Sequence, residues 1–114
     1  MRISLAALAA VALAAGVPVA APAEPAAHAV ALVLKDHRFT PSAITVPAGQ
    51  RIRIELVNQD AASEEFDSID LDVEKDVTPH GKVTFFVGPL KPGTYRFMGE
   101  LHADTASGVL EAVD

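Results

Sequence analysis

Hydrophobic and polar residues alternate with a period of two over most of the chain from His28 onward. This alternation is typical of β-strands that bury one face and expose the other. The clearest case is residues 51–56, where Ile52, Ile54 and Leu56 alternate with charged residues. Because no helical period persists long enough to compete with these alternations, the pattern predicts an all-β protein.

Turn signals divide these alternating segments. Pro47-Ala48-Gly49 and the stretch from Gly88 to Gly93 combine proline and glycine, which favour tight connections. The spacing predicts seven or so short strands in a sandwich or barrel. Between Ile69 and Glu74 the acidic residues alternate with apolar ones. This pattern predicts an edge strand with a solvated charged face, which blocks edge-to-edge aggregation.

The first 23 residues have a different character. Met1 and Arg2 precede an uncharged stretch rich in Ala, Leu and Val, and Ala21-Pro22-Ala23 fits a cleavage site. This arrangement predicts a secretory signal peptide over residues 1–23, with an uncleaved N-terminal anchor as the alternative. Residues 24–28 are then a Pro/Ala tether and residues 29–114 one domain. We therefore expect a periplasmic protein.

Charge and cysteine content limit the chemistry of the domain. The chain has no cysteine and a formal net charge of −6, which becomes −7 if Arg2 leaves with the signal peptide. No disulfide forms and no thiolate binds a metal. The acidic balance argues against nucleic acid and anionic membrane surfaces, and it favours cations.

Several separated blocks carry a resemblance to a known family. Phe39-Thr40-Pro41 and the segment from Ile44 to Gly49 resemble the opening strands and turn of cupredoxin-like domains. Val57-Asn58 resembles the Asn-containing loop that follows, and the segment from Leu90 to Phe97 the strand that enters the metal loop. Gly108-Val109-Leu110 resembles the closing strand. The resemblance implies a Greek-key β-sandwich or barrel of cupredoxin type, with about seven to eight strands.

The departures from that family concern the metal ligands. Glu64-Glu65-Phe66 stands where copper cupredoxins have their first histidine, and Gly99 stands where they have the cysteine. About Thr105 replaces the axial methionine, and only His102 stays in register. A blue-copper site needs two histidines, a thiolate and a weak axial ligand. The sequence therefore excludes a type 1 copper site and a blue-copper electron carrier.

A narrower resemblance rests on four short segments. Glu64 to Ser68, Glu74-Lys75, Gly88 to Gly93 and Gly99-Glu100 are similar to the cupredoxin-like proteins of bacterial periplasmic ferrous-iron uptake systems. Those proteins accompany an iron permease. The resemblance implies iron handling, with copper as a possible partner metal and an inner-membrane iron permease or its periplasmic partners as the interaction partner.

The candidate metal ligands follow from residue chemistry. Carboxylates suit iron, manganese, calcium or magnesium, and imidazole adds a preference for iron, copper, zinc or nickel. If the loops at Glu64 and at Glu100–His102 share one end of the sandwich, a His/carboxylate site forms there. The candidate residues are His102, Glu100, Glu64, Glu65 and His37. The pattern leaves open which of the two adjacent glutamates faces the site, and a surface-loop role is the alternative for both histidines.

Three functions remain open at this point. The first is a metal-binding accessory of iron uptake that holds Fe(II) or Cu(II) and passes metal or electrons to a membrane permease. The second is a metal-free interaction module that docks on a periplasmic or membrane partner. The third is an autonomous ferroxidase, which ranks lower because no thiolate tunes the metal. A homodimer with a bridging metal also fits so few ligands per chain.

Overall fold

The computed structural model describes residues 16–17 and 26–114. The predicted signal peptide therefore lies outside the described residues except for Gly16 and Val17, as do residues 24–25 of the predicted tether. From His28 onward the described residues form nine strands and one short 3₁₀ helix at Glu100–His102. The strands are β1 (His28–Lys35), β2 (Arg38–Thr40), β3 (Ala43–Pro47), β4 (Ile52–Asn58), β5 (Glu64–Ser68), β6 (Val73–Val77), β7 (Lys82–Val87), β8 (Gly93–Gly99) and β9 (Ser107–Val113).

The strands form two sheets that pack face to face. One sheet has the order β2-β1-β4-β7 and the other the order β3-β9-β8-β5-β6. The β1–β4 and β3–β9 pairs are parallel, whereas the other pairs are antiparallel. The predicted all-β sandwich is confirmed. The count exceeds the predicted seven to eight because the break at residues 35–38 is a tight turn leading into the three-residue strand β2.

Alternation along the strands builds the core between the sheets. In β4, Ile52, Ile54 and Leu56 are buried while the charged residues between them are only partly covered. The same alternation buries Leu32 and Leu34 of β1. Full burial of such a side chain stabilises the fold by about 1.5–3 kcal/mol. The period-two pattern in the sequence therefore corresponds to side chains that point alternately into the core and towards solvent.

Four phenylalanines pack together at the centre of this core. The Phe66 ring lies 4.9 Å from Phe85, 5.2 Å from Phe97 and 5.9 Å from Phe39, measured between ring centroids. These separations lie in the range of favourable aromatic pairs. Because Phe66 lies two residues after Glu64 on β5, this cluster anchors the strand that carries a candidate ligand.

The predicted strand between Ile69 and Glu74 is wrong for residues 69–72. β5 ends at Ser68 and β6 begins at Val73, so residues 69–72 form a turn. Ile69 is 89% exposed, which the predicted strand face does not allow. Glu74 does lie exposed on β6, which is the edge strand of its sheet.

Hydrogen bonds to side chains explain this turn. The Ser68 hydroxyl accepts the N–H of Leu71 and donates to the carbonyl of Arg96. The Asp70 carboxylate accepts the N–H of Arg96, and Asp72 adopts a left-handed φ of 54°. Ser and Asp side chains compete with a strand ladder in this way. The alternation of residue types was therefore overridden by side-chain hydrogen bonds, two of which reach Arg96 on β8.

No helix among the described residues has both the length and the apolar character needed to cross a membrane.

Candidate metal centre

Three separate elements meet at one end of the sandwich. The turn between β1 and β2 carries His37, the first position of β5 carries Glu64, and the 3₁₀ helix carries His102. One ring nitrogen from each histidine and one carboxylate oxygen lie within 4.8 Å of one another. Among the described residues, these three side chains form the one cluster of His, Asp or Glu whose donor atoms are close enough together to hold a metal ion.

Glu64 is a buried carboxylate with several hydrogen bonds. Its side chain is fully buried because alternation along β5 turns Glu64, Phe66 and Ser68 inward. Oε1 accepts the N–H of Leu101 at 2.9 Å and the N–H of Glu65 at 3.0 Å. Oε2 lies 2.6 Å from Nδ1 of His102. Burial of a carboxylate is costly without such partners, so these bonds hold Glu64 in its place.

His102 presents its ring to this carboxylate from the 3₁₀ helix. The carbonyl of His102 accepts the N–H groups of Thr105 and Ala106, which fixes the backbone of the turn. A charge-assisted bond from Nδ1 to Glu64 orients the ring. The side chain of His102 is 28% exposed. The ring is therefore anchored on one edge and accessible from solvent on another.

The His37 ring packs flat against one face of the His102 ring. The rings of His37 and His102 are stacked, with centroids 3.7 Å apart and planes 13° from parallel. The His37 side chain is 42% exposed and lies at the outer side of the pair. The two imidazoles and the Glu64 carboxylate therefore form one compact donor group.

These donors are close but not yet arranged around one ion. Lone pairs of imidazole nitrogens lie in the ring plane, so two parallel stacked rings do not aim at a common point. Two donors on one tetrahedral ion lie about 3.3 Å apart when each bond is about 2.0–2.1 Å. A 2.6 Å contact is a hydrogen bond instead. Metal binding therefore requires the Nδ1–Oε2 contact to lengthen and the His37 ring to rotate about its side-chain torsions, while the turn that carries His37 stays in place beside His102 and Glu64.

Asp60 supports the turn that carries His37. Its carboxylate accepts the N–H of Asp36 at 2.8 Å and the N–H of His37 at 3.0 Å. The bond from the His37 N–H lowers the pKa of Asp60 below its ordinary value, partial burial opposes this effect, and the Asp36 N–H adds to the lowering. The carboxylate is therefore ionised next to His37 at neutral pH.

Gly99 lies directly behind the buried carboxylate. A Cβ atom placed there would stand 2.6 Å from Cδ of Glu64 and 2.8 Å from Cβ of Ala106. Distances below 3.0 Å do not occur between such atoms without a shift. The Glu64 carboxylate thus fills the space that a side chain at position 99 would need.

The other two predicted ligands lie outside the donor group. Glu65 points to the opposite face of β5 and lies close to the carboxylate of Glu100. Partial burial raises the pKa of Glu65, and the nearby charge of Glu100 raises it further. Glu74 and Asp76 contribute in the same direction. The structure therefore places Glu65 and Glu100 together in an acidic cluster on the outer surface.

Glu65→Gln is expected to raise the melting temperature at pH 7. The folded-state pKa of Glu65 lies above its ordinary value of 4.5, so ionisation costs more in the folded than in the unfolded chain. This penalty builds up as the pH rises through 4.5 to the folded pKa, and it is absent below both values. Thermal melts at pH 7 and pH 3.5, with the exposed Asp104→Asn as control, test this. An equal gain at both pH values would contradict it.

The structure differs from the sequence-based expectation in the element that carries Glu64 and in which candidate ligands come together. Glu64 was predicted to lie in a loop, but it begins a strand, and this explains why it and not Glu65 points inward. His37 and His102 come together with Glu64, whereas Glu100 does not. Sequence reasoning missed the supporting role of Asp60. The one feature of the sequence that could have indicated this role is the Asn-x-Asp spacing, because Oδ1 of Asn58 accepts the N–H of Asp60 two residues later.

Sequence comparisons agree with this architecture. The model of the cupredoxin-like domain family matches residues 4–112. An uncharacterized protein of Rickettsia prowazekii (strain Madrid E) is 43% identical over 81 residues, which cover 71% of this chain. The matched segment spans 65% of that protein's own length.

Solved structures resemble the fold at low sequence identity. Auracyanin A, a "blue" copper protein from Chloroflexus aurantiacus, superposes with a TM-score of 0.67 at 15% identity, covering 77% of this chain and 100% of that one. The metal-binding domain of the Streptococcus pneumoniae Cu(I)-exporting P-type ATPase CopA, solved with Cu(I), has a TM-score of 0.65 at 11% identity, covering 75% and 85%. These likenesses establish the fold alone. With the family model matching nearly the whole chain, this protein belongs to the cupredoxin-like domain family.

Proposed function

We propose that this protein binds a divalent transition-metal ion through His37, Glu64 and His102. In this proposal it is an exported, periplasmic accessory protein of bacterial iron uptake that holds Fe(II) or Cu(II) and passes it to an inner-membrane permease. The single observation that carries the proposal is the buried Glu64 carboxylate that faces two imidazoles at one end of the sandwich.

The donor types suit such an ion. Two imidazoles and one carboxylate form the ligand set that non-haem Fe(II) uses in other proteins, with positions left for further ligands. The same set binds Cu(II) and Zn(II), and Cu(II) is the tightest of these divalent ions at most sites. Thiolate and thioether ligands, which select Cu(I), do not belong to this group. We therefore expect a preference for divalent ions over Cu(I).

Charge and resemblance support the biological role. A formal net charge of −6 raises the local concentration of cations near the surface. The segments around Glu64, Gly88–Gly93 and Gly99 resemble the periplasmic proteins of ferrous-iron uptake. Two structural relatives are copper proteins, which supports metal binding as a class without choosing the metal.

Anaerobic titration of the purified protein with Fe(II), and then with Cu(II) and Zn(II), tests the proposal. We expect saturable binding near one ion per chain, or one per two chains if the metal bridges a dimer. His102→Ala is expected to abolish it, because this substitution removes one donor and the partner of the buried carboxylate. The matched control is His80→Asn, which removes an exposed imidazole from a left-handed turn position that asparagine tolerates. Equal weak binding by all three proteins would refute the metal site.

An interaction module remains the second candidate function. The observation in its favour is Leu101, which is 57% exposed between the Glu100 and His102 positions. An exposed leucine beside the donor group suits contact with an apolar surface of another protein. If the titration shows no metal site, docking of a protein partner through this end of the sandwich becomes the better explanation of its function.

A further inference from the structure

The turn between β1 and β2 has an unfavourable backbone conformation. Asp36 has a φ of 53° and His37 a φ of 56°, so two successive residues other than glycine are left-handed. Both values lie in a region that residues with a Cβ atom seldom adopt, although Asp, Asn and His enter it more readily than most. The imidazole of His37 reaches His102 from this turn. Something outside the turn must therefore hold it.

Asp60 supplies that support. Each of its two carboxylate oxygens accepts one of the two backbone N–H groups of the turn, Asp36 at Oδ1 and His37 at Oδ2. The same Oδ2 lies 3.6 Å from Nδ1 of the His37 ring. Asp60 thus contacts both the backbone and the ring of the residue that it supports, and its own side chain is only 12% exposed.

Asp60 is itself held in place by the loop that follows β4. Its N–H donates to Oδ1 of Asn58, and its carbonyl accepts the N–H of His80. Asn58 is buried, and its Nδ2 donates to the carbonyls of Ala62 and Thr78. A continuous set of hydrogen bonds therefore runs from the buried end of β4 to the carboxylate of Asp60.

We propose that Asp60 is a positioning residue of the metal centre, which holds the Asp36–His37 turn so that the His37 imidazole lies beside His102 and Glu64. This inference rests on the proposed function in its metal-binding part. Both backbone N–H groups of the turn need an oxygen as acceptor, and a carboxylate has an acceptor oxygen for each of them. An asparagine offers one oxygen and presents an N–H₂ group to the second backbone donor.

Asp60→Asn is expected to release His37 without removing any ligand. In the metal-free protein, we expect loss of the nuclear Overhauser contacts between the His37 and His102 ring protons. With Cu(II) as the probe, we expect about 10–100-fold weaker binding, the usual effect of removing a group that orients a ligand. Asp36→Asn is the matched control, because it makes the same chemical change in the same turn and keeps the backbone N–H. It should alter neither readout.

A double-variant comparison separates positioning from a general loss of stability. In the His37→Asn background the ring is already absent, so adding Asp60→Asn should weaken Cu(II) binding no further. If Asp60→Asn fails to fold, Asp60→Ser, whose hydroxyl accepts one N–H, is measured in the same two ways. Retained ring contacts together with wild-type affinity would overturn the proposal, and so would a full additional loss in the His37→Asn background.

The two proposals fail in different ways. If the wild-type protein binds no Cu(II), the metal-binding function fails, while the ring contacts in the metal-free protein still report whether Asp60 holds His37. If the wild type binds Cu(II) and His37→Asn weakens binding, but Asp60→Asn does not, the metal site stands and the role of Asp60 is refuted.

Discussion

Glu64→Gln is expected to keep the fold and to weaken Cu(II) binding by more than about 100-fold, beyond the 10–100-fold typical of groups that only support a ligand. The backbone N–H groups of Glu65 and Leu101 both donate to Oε1 of Glu64. A glutamine oxygen at that position accepts both of these bonds. The fold therefore loses few hydrogen bonds, and we expect a destabilisation below about 1 kcal/mol.

The loss of affinity has two physical causes. The substitution removes the negative charge from the donor group. It also places an N–H₂ group beside Nδ1 of His102, where Oε2 now lies. This group donates to Nδ1, so the ring proton moves to Nε2 and that nitrogen no longer binds a metal. The effect is therefore large whether Glu64 contacts the ion itself or orients His102 towards it.

Isothermal titration with Cu(II) and a thermal melt of the same samples check this expectation. Glu100→Gln is the matched control, because it makes the same change in the acidic cluster outside the donor group. Its affinity should stay near the wild-type value. Comparable losses for the two variants would show that overall charge and not the Glu64 position determines binding.

Gly99→Ala is expected to lower the free energy of unfolding by about 1–3 kcal/mol, the usual cost of forcing an extra carbon into a packed site. The backbone is not the cause, since φ at Gly99 is −90° and suits any residue. The cause is the Glu64 carboxylate, whose Cδ would lie 2.6 Å from the new Cβ. Displacing this carboxylate also pulls it away from His102, so metal affinity should fall together with stability.

A double-variant cycle with Glu64→Ala tests the cause. Chemical denaturation of the two single variants and the double variant gives the coupling between the positions. If the carboxylate is the obstacle, Gly99→Ala should cost less in the Glu64→Ala background than in the wild type. Strictly additive costs would mean that the neighbouring Ala106, and not Glu64, opposes a side chain at position 99.

The same contact explains the departure from blue-copper proteins. By the sequence resemblance, Gly99 stands where copper cupredoxins have their cysteine. In the structure the Glu64 carboxylate occupies the space that a side chain at position 99 would need. By the sequence resemblance, Glu64 stands where copper cupredoxins have their first histidine. Restoring the thiolate by Gly99→Cys alone would therefore place it against a buried carboxylate. A glycine at position 99 and a buried glutamate at position 64 are therefore sterically linked.

The limits of the sequence are clearest in the acidic segment. Alternation predicted one strand through residues 69–74, because it counts only residue types along the chain. Hydrogen bonds of the Ser68 and Asp70 side chains with the backbone of Leu71 and Arg96 produced a turn instead. Arg96, which supplies both its carbonyl and its N–H to these bonds, is 26 residues away from Asp70 in the chain, so no local pattern contains it.

The sequence by itself determined the all-β class, the inward and outward order of most strands, the absence of a thiolate and the set of candidate ligands. Each of these depends on residue identity or on neighbours two positions apart. Only the tertiary structure decided that Glu64 points inward while Glu65 joins Glu100, that His37 stacks on His102, and that Asp60 holds the turn of His37. These facts depend on sheet order, because hydrogen-bonded partners such as Glu64 and His102 are 38 residues apart and meet only when β5 and the segment after β8 pack side by side.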